Sequence, residues 1–345
     1  MTPSETFAPR SLITSTLILS RYYIDEMIHV KAVCISHAED ADGLICAAYL
    51  RHLMDVSTLL VTYDEFESAL KSVRPSTNEV YICDLNIREE FYEEIQRITR
   101  FASVTLIDHH PTDVEMVEIL KQSGVTVVYN PLDCASVLLF DHFKKKLSRK
   151  AARLAAYAAV SDQFEDGPIA SNILARLDRQ FVQHEALILT HALHQKTTSN
   201  FTSSIVEELS RFSFPHKIKG VVEASLIYLE HTAMLLENLP TNASRIGSLA
   251  YVEGTYEISI GAVAGLLVDA VNVDVGVCYK RGENDLMNLS IRGRRGLDLH
   301  LGAITKRIAK RHSGFGGGHK RASGASIPRN NYLEFIRDLE RELKR

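Results

Sequence analysis

The chain has 345 residues, 46% of them hydrophobic, and a formal net charge of −4. That is more chain than one core usually fills, so two globular domains are expected, and a fibrous or disordered protein is excluded. Cys34, Cys46, Cys83, Cys134 and Cys278 are widely spaced and form no C-x-x-C, which argues against a disulfide framework or a structural zinc knuckle and predicts reduced, buried thiols in a cytoplasmic protein.

The charge is unevenly spread. Residues 280–345 hold 16 Lys and Arg against 7 Asp and Glu, net +9, which leaves 23 against 36, net −13, in residues 1–279. A basic C-terminal lobe beside an acidic one suits a polyanion held by the first and processed by clustered carboxylates in the second; a solvated basic surface would have the same composition.

In chain order, the apolar stretch 12–19 is broken by Thr14, Ser15 and Thr16 and is far too short for a membrane span. It reads as a surface helix in an N-terminal extension (1–27) rather than a signal peptide, and no membrane partner is expected. From Val30, short β-branched runs alternate with helical stretches: VKAVCIS, a helix from Gly43, STLLVTY, EVYICDL, a helix over 89–99, ASVTLID, VTVVYN, and helices reaching Lys146 and starting again at Lys150. Continuous apolar strands alternating with helices predict a parallel sheet covered on both faces, over 28–185. Residues 186–244 read as a helical connector broken at Phe214-Pro215 and Leu239-Pro240. A smaller α/β domain is expected over 245–345, with strands in IGSLAYVE, EISIG, DVGVCYK and LMNLSIR, helices over 262–270 and 299–310, a glycine-rich loop and a closing helix.

Four acidic motifs follow elements of the first domain. HAEDADG offers His37, Asp40 and Asp42 after a strand; residues two apart in extended chain face the same way, so the two aspartates can aim at one point, although Asp42 also fits a helix cap. YICDL ends on Asp84. LIDHHP brings Asp108, His109 and His110 straight off a strand, a combination of carboxylate and imidazole suited to Mn²⁺ or Zn²⁺ and to proton transfer. VSDQF places Asp162 after an alanine-rich helix. Carboxyl ends of parallel strands are where open α/β sheets place their sites. So many converging carboxylates would repel one another without cations, and they could hold two divalent ions about 3.5–4 Å apart.

With these motifs in this order and SGFGGGHKRASGA at 313–325, the chain resembles the DHH phosphoesterase family with its associated C-terminal domain, in the RecJ-like and nanoRNase/pAp-phosphatase branch, from about residue 30 to 330. The resemblance implies metal ligation by Asp40, Asp42, Asp84, His109 and Asp162, with Asp84 bridging the ions. It places His110 beside the scissile phosphate and Asp108 in support of the imidazoles. His37 is a further metal candidate, although only Ala38 and Glu39 separate it from Asp40, one residue fewer than is usual in relatives with a histidine here. In the second domain the resemblance points to Arg292 and to Gly316, Gly317, Gly318 and His319 as phosphate-binding groups. Glycine N–H groups approach a phosphate unhindered, and a guanidinium fork suits bidentate contact.

The expected activity is Mn²⁺-dependent hydrolysis of short single-stranded oligonucleotides, with two ions and with Mg²⁺ or Co²⁺ as substitutes. The alternatives are a pAp phosphatase, a cyclic-dinucleotide phosphodiesterase and, from another class, a non-catalytic nucleic-acid or replication-fork partner. A family II pyrophosphatase shares the metal domain but not the G-G-G-H loop. The expected partners are a nucleotide or short single strand, with a homodimer or a replication or repair protein as further candidates.

Overall fold

A computed structural model describes residues 32–196, 198–254 and 258–344. The predicted N-terminal helix lies outside the described residues. The chain is α/β throughout and divides into two compact units, one running to Leu193 and resuming up to Val222, the other made of His194–Lys196 and the chain from Glu223.

In the first unit, β1 (Ala32–His37), β2 (Val56–Val61), β3 (Glu79–Cys83), β4 (Ser103–Asp108) and β5 (Thr126–Tyr129) form a five-stranded sheet in the order β2-β1-β3-β4-β5, with every pair parallel. The strand order reverses between β1 and β3, which makes the carboxyl ends of those two strands the crevice where a doubly wound sheet accepts a ligand. The helices are α1 (Ala41–Leu53), α2 (Tyr63–Ser72), α3 (Tyr92–Thr99), α4 (Val114–Gln122), α5 (Ala135–His142), α6 (Ala152–Ser161), α7 (Pro168–Leu174), α8 (Arg179–Gln195) and α9 (Ser199–Ser210). Ala41 to Leu50 of α1 are all buried, as expected for a helix apolar on every side. It packs on β1 and is enclosed by α5, α6 and α9. On the sheet's other face Ile35, Phe66, Leu70, Ile82, Ile95 and Ile98 form a dense core.

The second unit carries α10 (Val221–Asn242) from Glu223 on, and a six-stranded sheet: β6 (Ser244–Ile246), β7 (Leu249–Glu253), β8 (Val275–Arg281), β9 (Leu286–Gly293), β10 (Phe315–Gly318) and β11 (Ala322–Pro328), in the order β10-β11-β9-β8-β7-β6. Only β7 and β8 run parallel among its pairs. Its helices α11 (Ile260–Ala270), α12 (Leu301–Arg311) and α13 (Tyr332–Leu343) complete it, and Val275, Ile291, Ile308, Ile327, Phe335 and Leu339 lie in its core. The segment expected as a connector supplies α9 to the first unit and most of α10 to the second.

Three expectations fail locally. EISIG forms no strand over its described residues, because Ser259 instead caps α11, its hydroxyl accepting from Ala262 N at 3.2 Å. Pro240 does not break the chain but lies inside α10, which runs on to Asn242 with Leu239 buried in the core. The glycine-rich run is not a loop: Gly316, Gly317 and Gly318 are edge strand β10, paired with β11. α12 packs on this strand through a glycine of its own. A Cβ on Gly302 would lie 2.0 Å from the Gly318 carbonyl oxygen.

No described helix is long and apolar enough to cross a membrane.

Candidate metal centre

The four motifs converge at the carboxyl edge of the first sheet. His37 closes β1, Asp84 follows β3, Asp108 closes β4 with His109 and His110 behind it, and Asp162 caps the C-terminal end of α6. The ligand-capable atoms form three groups, each within 4.8 Å: His37, Asp40 and Asp84; Asp84, Asp108, His109 and His110; and Asp42, His109 and Asp162. Asp84 belongs to two of these and His109 to two.

Asp40 and Asp42 do not aim at one point. The helix starts at Ala41, two residues earlier than predicted, so Asp40 caps it from extended backbone, accepting from Gly43 N at 3.0 Å and facing His37 Nδ1 at 2.7 Å. Asp42 lies within the first turn of α1 on the far side. It is fully buried and accepts from Ala135 N at 2.7 Å and Ser136 N at 2.8 Å, where α5 begins. Asp40 stands in extended backbone while Asp42 is already helical, so the period-two alignment of an extended chain does not hold across them, and each serves a different group. Gly43 makes this start tight: a Cβ there would sit 2.3 Å from the His37 carbonyl oxygen. Gly43→Ala is therefore expected to cost about 1–3 kcal/mol or more, because it drives a methyl into backbone; a melting temperature equal to wild type would show that the strand end gives way freely.

Asp84 is 1% exposed and holds a left-handed backbone, φ 56°, tied by its N–H to the Ile107 carbonyl at 3.0 Å. A non-glycine residue in that region costs energy that the surrounding structure must offset, and such residues gather at functional positions. Its Oδ1 lies 3.3 Å from His109 Nε2 and its Oδ2 lies 3.6 Å from His37 Nδ1, with no hydrogen-bond partner for Oδ2 among the described residues. Burial, followed by the charges of Asp40 and Asp42, pushes its pKa up to about 7. Burial and then Asp40 and Asp42 likewise raise Asp162. Burial works against protonated His109, but the hydrogen bond to Asp84 and the charges of Asp42, Asp84 and Asp108 together outweigh it and raise its pKa to about 9. His37 is raised in the same sense, chiefly by Asp40, against its own desolvation.

A divalent cation fits this chemistry. Hard carboxylate oxygens and imidazole nitrogens are the donors Mn²⁺ accepts, and a buried, unpartnered carboxylate oxygen at the centre is what a cation would satisfy. His37 lies within the first group despite its short spacing from Asp40, because the strand end folds its imidazole back over the cap.

His110 is built differently. Its Nδ1 meets Asp108 Oδ1 at 2.7 Å, and its Nε2 lies 3.3 Å from the Tyr63 hydroxyl. The Tyr63 ring stands edge-on to His110 and also lies 5.3 Å from the His37 ring. Sequence reasoning missed Tyr63, which opens α2 just beyond β2; applying the strand-end rule to β2 as well would have found it. Phe164, edge-on to His109 at 4.7 Å, was also missed, and no sequence signal marks it.

In the second unit, Arg292 Nη1 donates to Ser290 Oγ at 3.0 Å and to the Ile291 carbonyl at 3.1 Å, and burial lowers its pKa. Arg292 is paired in register with Ala322, Gly318 with Ser323, and His319 N donates to the Ala322 carbonyl at 2.7 Å. These residues thus meet at one end of neighbouring strands.

A DHHA1 domain matches residues 248–345. An uncharacterized protein of Methanocaldococcus jannaschii is 30% identical over 122 residues, which is 33% of this chain and 26% of that protein, so the chain spans about a quarter of this relative. RecJ from Thermus thermophilus, in complex with Mn²⁺, matches with TM-score 0.59 and 15% identity, over 99% of this chain and 56% of RecJ. The pGpG-specific phosphodiesterase PggH from a Vibrio species matches with TM-score 0.56 and 13% identity, over 91% of this chain and 98% of PggH. At such identities the structures speak for the fold, which is the two-domain α/β fold found here. The chain thus carries a C-terminal DHHA1 domain, and its two-domain α/β fold is the one found in RecJ and PggH.

Proposed function

We propose that the chain is a metal-dependent phosphodiesterase that hydrolyses short single-stranded oligonucleotides, with two Mn²⁺ ions as the cofactor and Mg²⁺ or Co²⁺ as substitutes. The observation that carries the reading is the sharing of Asp84 and His109 among three ligand groups, the arrangement two neighbouring cations need. Asp40 and His37 would hold one ion, Asp42, His109 and Asp162 the other, and Asp84 both. When bound, such a pair supplies a hydroxide near neutral pH and offsets the charge of the reacting phosphate. His110 keeps Nδ1 on Asp108, so Nε2 is the atom that carries a proton beside the phosphate, and Tyr63 fixes the ring plane there. The pGpG specificity in the name of PggH favours very short substrates, and the Mn²⁺ of the RecJ complex favours that ion.

The second unit is proposed to hold the substrate's phosphates through Arg292, His319 and the edge-strand glycines 316–318. Arg292→Ala is then expected to raise KM for a phosphate-terminated dinucleotide by roughly 10–100-fold with little change in kcat, as for lost ground-state binding. An unchanged KM would remove Arg292 from the substrate site. The test of the whole reading is to incubate the purified protein with Mn²⁺ and end-labelled dinucleotides, longer oligonucleotides, pAp and cyclic dinucleotides. Cleavage of pAp or a cyclic dinucleotide alone would move the assignment to a small-molecule enzyme, and cleavage of none would favour a non-catalytic nucleic-acid partner.

A further inference from the structure

Away from the carboxylate cluster, the acidic first unit carries a basic groove. The ten residues 144–153, KKKLSRKAAR, hold six cations and no carboxylate. They run from the end of α5 into the first turn of α6 and line three adjoining depressions of about 670, 320 and 120 Å³. Arg149 and Arg176 line both the first and the second, and Lys150 and Arg153 both the second and the third, so the three are one continuous groove.

Its charge is available. Among the described residues, Arg149, Lys150, Arg153 and Arg176 make no ion pair or hydrogen bond through their side chains, and all but the half-buried Arg153 are exposed. Of the two carboxylates on the groove wall, Asp141 pairs with Lys144 at 2.9 Å, and Asp178, held by Phe181 N at 2.8 Å, leaves one negative charge against these four cations. Four unpaired cations along one groove repel each other unless an anion lies between them.

Aromatic rings accompany the charge. Phe181 is 40% exposed and stands edge-on to Phe214 at 5.5 Å. The Arg153 guanidinium and the Lys217 ammonium each lie 5.4 Å from the Phe214 ring. Tyr157, 1% exposed, lines the inner depression, and its hydroxyl has no hydrogen-bond partner among the described residues. A buried hydroxyl without a partner is costly, and this one lines the groove. Alternating cations and aromatic faces are what a single strand needs, phosphates to the first and bases to the second, whereas a free phosphate ion would use only the charges.

We propose that this groove is a second polyanion site that binds the phosphodiester backbone of a single-stranded nucleic acid, with Phe181 and Phe214 as stacking surfaces for its bases. The site is separate from the metal centre. Arg153 lies in the first turn of α6 and Asp162 caps its other end, a rise of roughly 14 Å along the helix. A strand held here extends the substrate beyond the few nucleotides the carboxylate cluster can address. The inference rests on the phosphodiesterase reading only in the choice of nucleic acid as ligand.

The test is binding of a fluorescein-labelled single-stranded 20-mer to the full chain in EDTA, followed by anisotropy over a salt series, so that hydrolysis plays no part. Replacing Arg149, Arg153 and Arg176 together with Ala is expected to weaken binding about tenfold or more at low salt. It should also flatten the salt slope by about 2, near 0.7 for each phosphate of a single strand that is no longer neutralised. Cleavage of an end-labelled dinucleotide by the wild-type chain with Mn²⁺ is measured separately, so failure of the catalytic reading and failure of this one give different patterns. If the triple variant does not fold, a 5-iodouracil oligonucleotide cross-linked to the wild-type chain decides: adducts at Phe181 or Phe214 support the site. Unchanged affinity and slope in the folded triple variant, or cross-links confined to other segments, would overturn it.

Discussion

Asp84→Asn is expected to lower kcat with Mn²⁺ by at least ~10³-fold, about 4 kcal/mol of barrier, while leaving the protein folded. The substitution keeps the side-chain volume but exchanges a carboxylate for a neutral amide at the point where two ligand groups meet, 3.3 Å from His109 Nε2 and 3.6 Å from His37 Nδ1. An amide oxygen is a weak ligand, and its NH₂ opposes a cation on the other side, so the site loses its bridge and one unit of negative charge. The same change relieves the metal-stripped protein. A carboxylate held at a pKa near 7 by burial and by Asp40 and Asp42 is destabilising when ionised at pH 8, and Asn carries no such charge. Two readouts therefore move oppositely: turnover collapses while the melting temperature in EDTA at pH 8 rises. Near-normal turnover in this variant would falsify the two-ion arrangement, and a collapse of both would mean that Asp84 supports the fold rather than the chemistry.

Much of the first unit was legible because its signals are local and redundant. VCIS, VYIC and VTLI are short, largely apolar runs with β-branched residues and no alternation, the pattern of a strand buried on both faces. Each is followed by its acidic motif, so fold and candidate site were read from the same residues. What escaped the sequence depends on geometry that spacing does not carry. Starting α1 two residues early put Asp40 and Asp42 in different ligand groups of the cluster. Gly316–Gly318 looked like a loop because glycine is permissive; here the run pairs with β11 as an edge strand, and the missing side chain of Gly302 is what lets α12 approach it. The groove was hidden by averaging: a net of −13 over residues 1–279 conceals six cations in ten residues, and only the packing of α6, α7 and the segment around Phe214 brings them beside aromatic rings.

Metal-stripped protein should lose stability as pH rises from about 4 to 9, and Mn²⁺ should reverse that trend. The sign follows from the direction of the shifts. Asp84 is raised from 3.8 to about 7, so its proton favours the folded chain fully below about pH 4, and that favour is lost as pH rises through about 7. His109 is raised from 6.5 to about 9, so its contribution is complete below about pH 6.5 and lost through about 9. His110, raised by Asp108 against its own burial, and Asp162, raised by burial and neighbouring carboxylates, act in the same sense. Asp40, held low by His37 against its burial, acts only below its ordinary value and outside this window. Protons thus stand in for positive charge that the carboxylates require, and metal ions compete with those protons, binding better as they leave. At 100 times its dissociation constant each ion adds about 2.7 kcal/mol, so two add about 5 kcal/mol. In a domain of this size that is a rise of roughly 10–20 °C in melting temperature. The measurement is four melts, at pH 5 and pH 8, each with EDTA and with saturating MnCl₂. The stripped protein should melt lower at pH 8 than at pH 5, and the gain from Mn²⁺ should be large at pH 8 and small at pH 5. A stripped protein indifferent to pH, together with no Mn²⁺ shift at pH 8, would mean that the carboxylates of this cluster are neutralised by their own histidines and hold no ion.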